Sequence, residues 1–167
     1  MRHWYVVQTK PGQDQRAEQH LANQGYELLR PMARRRKRHG RRWRTVTEAL
    51  FPRYLFIHLD DEAENWAPIR STRGVTGLVR FGMFPTPVPS EIIDGLKSRM
   101  EPETGCVDLT GVTDFRAGER VRLTEGPFEG LEAIFLARKA EERVMVLLEV
   151  MQRQQRIAVP EQALERA

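Results

Sequence analysis

The 167-residue chain has a single cysteine, Cys106, so it can form neither an internal disulfide nor a cluster of zinc-binding thiolates. No apolar run approaches the roughly eighteen residues that cross a bilayer. The opening Met1-Arg2-His3-Trp4-Tyr5 lacks the apolar stretch and cleavage site of a secretory leader. A cytoplasmic protein with no membrane partner is expected. Also missing are a glycine-rich phosphate loop, a nucleophile elbow and a histidine pair at metal spacing. His3, His20, His39 and His58 are scattered, and Glu18, Glu27 and Glu48 show no pairing of the kind acid–base catalysis uses. The chain reads as no enzyme, with no metal and no cofactor.

Charge is present in an uneven way. Residues 1–60 hold 13 Lys/Arg against 5 Asp/Glu, while the remainder holds 14 against 18. Polyanion binding, if any, therefore belongs to the first part of the chain. Trp4 to Thr9 reads as a buried strand and Gln13 to Gln24 as a helix closed by Gly25. Leu28 to Met32 reads as a second strand, Arg34 to Arg44 as a hairpin tip turning at Gly40, and Phe51 to Leu59 as a strong strand. A short helix over Trp66–Arg73 ends at Gly74, and Leu78 to Phe81 reads as a short strand. Ser90 is placed to cap a helix over Glu91–Met100 with Ile92, Ile93 and Leu96 as its apolar stripe. This order predicts an α+β fold, an antiparallel sheet with flanking helices over residues 1–100. A linker is expected over 101–115 and a second small domain over 116–167. In the tail, Arg120 to Thr124 alternates like a strand, yet Leu131 to Val159 has no Gly or Pro and is rich in helix formers. Val144, Val146, Leu148 and Val150 satisfy a period of two, while Val144, Leu147, Leu148 and Met151 satisfy helical spacing.

Three constellations carry chemistry. Arg34-Arg35-Arg36-Lys37-Arg38-His39-Gly40-Arg41-Arg42-Trp43-Arg44 places 8 formal positive charges in 11 residues, a density suited to phosphates and self-repulsive without them. Arg35, Arg36 and Arg42 are candidate contacts there, and Trp43 is free to stack on a base or to pack on its own sheet. Lys10, Gln13, Arg16 and His20 share one face of the first helix and its turn, although pattern alone favours an ordinary polar face. Phe51, Tyr54, Phe56 and Phe81, with Ile93 and Leu96, form an aromatic and aliphatic set that fits either a core or a docking patch.

Trp4-Tyr5, Leu50-Phe51-Pro52-Arg53-Tyr54-Leu55-Phe56, Thr72-Arg73-Gly74-Val75 and Val79-Arg80-Phe81-Gly82 resemble the N-terminal domain of the NusG family, and Gly118 through Gly130 resembles the start of a KOW domain. The first-helix residues Lys10, Gly12, Gln13, Gln15, Arg16, Ala17, His20 and Leu21 resemble its RfaH branch. The resemblance implies an operon-specific transcription elongation and antitermination factor, monomeric and associated with the bacterial nucleoid. Phe51, Tyr54, Phe56, Phe81, Ile93 and Leu96 would bind the β′ clamp helices of RNA polymerase. Lys10, Gln13, Arg16, His20, Thr72, Arg73 and Gly74 would bind the non-template DNA strand of a paused complex. The C-terminal domain would be an α-helical hairpin in the free, autoinhibited protein and a β-barrel when released, then recruiting a small-subunit ribosomal protein. Glu48 and Arg143, with Phe135, would hold the closed state; as an exposed ion pair the first two contribute about 1 kcal/mol or less. Two departures stand out: Asn65-Trp66-Ala67 replaces the branch's His-Thr-Thr motif, and Gln8 stands where an apolar residue is expected. A general NusG-type factor with a constitutive barrel, or a KOW-type RNA- or ribosome-binding module, are the alternatives.

Overall fold

The computed structural model describes residues 1–61, 66–111 and 129–166. In chain order the elements are β1 (Arg2–Thr9), α1 (Asp14–Asn23), β2 (Glu27–Leu29), β3 (Met32–His39), β4 (Arg42–Ala49), β5 (Tyr54–Asp60), α2 (Ala67–Arg70), β6 (Val75–Leu78), α3 (Ser90–Arg99), β7 (Cys106–Asp108), α4 (Glu129–Leu136) and α5 (Ala140–Arg166). They group into two compact units. Met1–Leu29, Arg53–Ser90 and Leu148–Ala167 make the first; Arg30–Pro52 and Glu91–Leu147 make the second.

The first unit is built on an antiparallel sheet in the order β2-β5-β1-β6. Pairing of Tyr5 with Ile57 and Val7 with Leu55 puts these four side chains on one face. There they form a core with Ala17 and Leu21 of α1, Ile69 of α2 and Val75 of β6. Val6 and Phe56, paired on the opposite face, are buried too. Burial on both sides therefore explains why the β5 sequence is apolar without alternation.

The strand expected from Phe51 begins at Tyr54 instead. Arg53 adopts φ 71°, the left-handed region a non-glycine residue rarely enters. Two backbone bonds and one from the side chain hold that conformation: its N–H donates to Asp14 Oδ2 at 2.8 Å, its carbonyl accepts from Thr9 N–H at 2.7 Å, and its side-chain Nε donates to Thr9 O at 3.2 Å. The strand expected over Leu78–Phe81 is also displaced. Val75–Leu78 pairs with the end of β1, and after Val79 the chain leaves the sheet toward Pro85, Pro87 and Pro89.

The second unit contains a sheet in the order β4-β3-β7. β3 and β4 pair residue by residue from Met32↔Ala49 to His39↔Arg42, with Gly40 at φ 66° in the two-residue turn. The arginine-rich segment is thus the hairpin expected from the sequence, turning at Gly40, with its two strands paired along their whole length. The stretch expected to be a linker also contains a strand. Cys106 and Val107 are buried, and β7 pairs with β3 in parallel, Met32↔Cys106 to Arg34↔Asp108. Three residues carry too little periodicity to announce themselves, and their partner lies some seventy positions earlier.

Ile92, Ile93 and Leu96 are the buried stripe of α3, as the sequence predicts. In the tail, Arg143, Leu147 and Met151 are buried at intervals of four, so in this structure the helical template is the one realised. The KOW-like opening, including Arg120–Thr124, lies largely within 112–128, outside the described residues. Among the described residues, no helix is long and apolar enough to cross a membrane.

Candidate functional site

In the first unit, the turn before α1 and the turn after α2 are bonded into one ledge. Lys10 N–H donates to Gly74 O at 2.8 Å, and Gln13 N–H donates to Lys10 O at 3.0 Å. Gly74 sits at φ 87°, and a Cβ there would lie 3.2 Å from both Ala17 N and Gln13 O. Only glycine allows α1 this close. Gln24 Nε2 donates to Thr72 Oγ1 at 2.8 Å, and that hydroxyl donates to Pro68 O at 2.8 Å.

All seven candidate residues of the ledge therefore lie together, but they divide by exposure. Lys10, Arg16 and Arg73 are exposed, and Gln13 and His20 are half-buried. Thr72 and Gly74 are buried and hold the turn that presents Arg73. Asp14 ties this corner to the sheet, accepting from Thr9 Oγ1 at 3.1 Å as well as from Arg53 N–H.

In the second unit, the register of the hairpin sorts its cations by face. Arg34, Arg36 and Arg38 share a face with Trp43, and the Arg36 guanidinium lies 5.4 Å from the Trp43 ring centre. Arg35, Lys37 and His39 share the other face with Arg42, Arg44 and Glu48. Lys37 stands directly opposite Arg44, a like-charge pair that destabilises the ribbon. Among the described residues, the acidic partners gather at the base: Arg34 bonds Glu101 and lies 3.5 Å from Asp108, and Arg35 bonds Glu48. The Asp108 carboxyl is held below its ordinary pKa, chiefly by the Thr110 hydroxyl and then by the Thr110 N–H, with Arg34 a lesser cause. Toward the tip, Arg36, Lys37, Arg38, Arg41, Arg42 and Arg44 are all exposed.

The same unit holds Arg143 of α5, which has no exposed surface. Its Nη2 donates to Glu48 Oε1 at 2.9 Å, its Nε to Leu50 O at 2.8 Å and its Nη1 to Ala137 O at 3.2 Å. Burial pushes its pKa down, while bonding and attraction from Glu48 push it back up. The expectation of an exposed ion pair is corrected, since Arg143 is 0% exposed and Glu48 26%. Glu48 Oε1 accepts from both Arg35 and Arg143.

Phe135 of α4 is buried, with the Arg99 guanidinium of α3 4.8 Å from its ring centre. Leu131 of α4 packs over Gly95 of α3, where a Cβ would lie 2.1 Å from Leu131 Cδ2. Sequence reasoning missed Gly95, Leu131, Arg99 and the role of Arg35. A lone glycine inside a helical stripe was the one available signal, because it costs helix stability unless something packs against it.

The six aromatic and aliphatic candidates are not one exposed face. In the second unit Phe51, Ile93 and Leu96 are buried; in the first, Phe56 is buried and Tyr54 and Phe81 are half-buried.

The family described as "Transcription termination factor nusG" matches residues 2–97. The "Transcription termination/antitermination protein NusG" of Thermus thermophilus is 34% identical, with 75% of this chain and 76% of that protein covered. Its namesake in Deinococcus radiodurans is 27% identical over 90% of this chain and 92% of its own. A solved structure titled "Domain interaction in Thermotoga maritima NusG" is 27% identical, covers 57% of this chain and 55% of that one, and has a TM-score of 0.36. The chain belongs to the NusG family. It is accordingly a transcription factor and not an enzyme.

Proposed function

We propose that this chain is an RfaH-type elongation and antitermination factor, closed when free and opened at a paused transcription complex. Lys10, Gln13, Arg16, His20 and Arg73, presented by Thr72 and Gly74, contact the non-template strand. Arg36 and Arg42 of the hairpin add phosphate contacts whose strength falls with salt, whereas Arg35, the third candidate there, is half-buried and held by Glu48 at the base. Phe51, Tyr54, Phe56, Phe81, Ile93 and Leu96 bind the β′ clamp helices of RNA polymerase once uncovered. The released tail then recruits a small-subunit ribosomal protein.

The observation that carries the reading is the burial of Arg143 on a helical tail against Glu48 and the Leu50 carbonyl. Leu50 immediately precedes Phe51 of the polymerase patch and Glu48 lies three residues before it, so the latch and this member of the patch share one stretch of chain. A ligand shifts such an equilibrium only by its preference for the open form, and the clamp helices supply that preference.

The test compares clamp-helix binding by the full chain and by Glu48→Ala. That substitution strands the Arg143 charge and should favour opening by about two to three powers of ten. Tighter binding by Glu48→Ala, with a helix-rich far-ultraviolet spectrum of the free protein, is expected. Equal binding together with a strand-dominated spectrum would identify the general NusG-type factor instead, the reading nearest the relatives' printed names. No polymerase binding by either form would leave the KOW-type RNA- or ribosome-binding module.

A further inference from the structure

Apart from the ledge, the first unit carries a cleft of about 530 Å³ where the sheet ends at β6. Gln8, Trp66, Arg70, Gly77, Leu78 and Arg80 line it, and no acidic residue does among the described residues. Arg70 and Arg80 are exposed, Trp66 and Leu78 half-buried. Trp66 is held firmly: its Nε1 donates to Asp60 O at 3.1 Å, and its ring meets Tyr5 edge-on at 4.9 Å. Gly77 has an ordinary φ, and a Cβ there would meet nothing within 4 Å.

We propose that this cleft binds one nucleotide of a single-stranded nucleic acid, the base against Trp66 and the phosphate at Arg70 and Arg80. Three properties select that ligand. The volume is far larger than an inorganic anion needs and falls in the range of small-molecule sites. Two guanidiniums, with no acidic side chain among the described residues of the lining, suit a negative group, and guanidinium is the side chain best matched to phosphate oxygens. A fixed aromatic ring beside apolar Leu78 suits a planar base, and Gln8 supplies a donor and an acceptor for its edge.

Position argues the same way. Arg70 and the ledge residue Arg73 are three residues apart, so their α-carbons are at most about 11 Å from each other. A strand crossing the ledge reaches the cleft by passing α2. The departures at Gln8 and Trp66 thereby acquire a use: an apolar residue at position 8 would remove the polar group from the lining.

This inference rests on the reading of the ledge as a nucleic-acid surface, and the experiment separates the two. Fluorescence anisotropy of labelled oligo(dT) and oligo(U) is measured with the full chain, with Gly77→Leu, with Arg70→Ala/Arg80→Ala, and with Arg16→Ala/Arg73→Ala. Gly77→Leu fills the cleft from an unstrained backbone position, and the two arginines are exposed, so a folded protein is expected in each case. Loss of one stacked base should weaken Gly77→Leu about fivefold to a hundredfold. Removing the two arginines should reduce the salt slope by about 0.7 for the phosphate they share. A larger loss with oligo(dT) than with oligo(U) identifies DNA as the source of the nucleotide; the reverse identifies RNA. If both cleft variants keep wild-type affinity and slope while Arg16→Ala/Arg73→Ala weakens, the cleft proposal is overturned and the ledge stands. If none of the variants changes binding, both fall. Competition by an acidic peptide that Gly77→Leu abolishes, with oligonucleotide binding intact, would also overturn it.

Discussion

Arg143 and Arg42 belong to the same compact unit and have the same side chain, yet their surroundings are opposite. Arg143 is fully buried, with three bonds to Glu48, Leu50 and Ala137. Arg42 is exposed on a ribbon crowded with cations, where Lys37 stands directly opposite Arg44. A buried charge must have its partners, because desolvation in the interior is large and lasting. An exposed cluster tolerates repulsion because water and salt screen it, and it becomes favourable only when a polyanion arrives. Eight cations in the hairpin therefore say little about stability, and one buried arginine says a great deal.

The largest effect should come from Glu48→Ala, which leaves Arg143 buried without its carboxylate. It should cost about 3–5 kcal/mol in urea unfolding. Arg143→Met should cost far less, since Arg35 still neutralises Glu48 and an apolar side chain suits the buried site. Equal losses in the two variants would break the contrast. Next in size, Gly95→Val forces a side chain into Leu131, and overpacking of this kind costs about 1–3 kcal/mol, read as lost helical signal at lower urea. Alanine at Arg36, Arg38 and Arg42 together should leave stability within about 0.5 kcal/mol while lowering the salt slope of DNA binding by about 2 to 3. An unchanged slope would make the ribbon a bystander. Smallest of all, Lys37→Glu turns its like-charge opposition to Arg44 into an attraction and should raise stability by about 0.5 kcal/mol, visible as a slightly higher Tm at low salt.

Punctuated and periodic segments are legible in the amino-acid order alone. The bounds of α1 between Gln13 and Gln24, the Gly40 turn and the stripe on α3 follow from side-chain period and from glycine placement. What resists depends on distant partners. β7 exists because β3 is beside it, and β5 starts late because Asp14 fixes Arg53 in a backbone state that no local preference predicts. The tail resists for another reason. Its buried face includes Arg143, which any count of apolar residues places on the surface, so the two periods look equally good.

The candidate site is legible in a similar proportion. The ledge residues are close in sequence or in a familiar motif, which is why they can be grouped before the fold is known, but the division between exposed and buried members needs the structure. Glu48 and Arg143 come from family resemblance. The part of Arg35 depends on strand register, and the β6 cleft depends on which strand is at the edge.

The oxygen Glu48 Oε1, held by two arginines at once, has a consequence for reversibility. If Arg143 were its sole partner, withdrawal of the tail would orphan a carboxylate, and each excursion would carry that penalty. With Arg35 already bonded, the carboxylate changes from two partners to one and is never abandoned. If the tail is released as proposed above, its detachment is a ligand exchange in which Glu48 keeps Arg35 as a partner. The coupling between Glu48 and Arg143 in a double-mutant cycle should therefore grow when Arg35 is replaced by alanine, a three-body effect that pairwise accounting of the latch would miss.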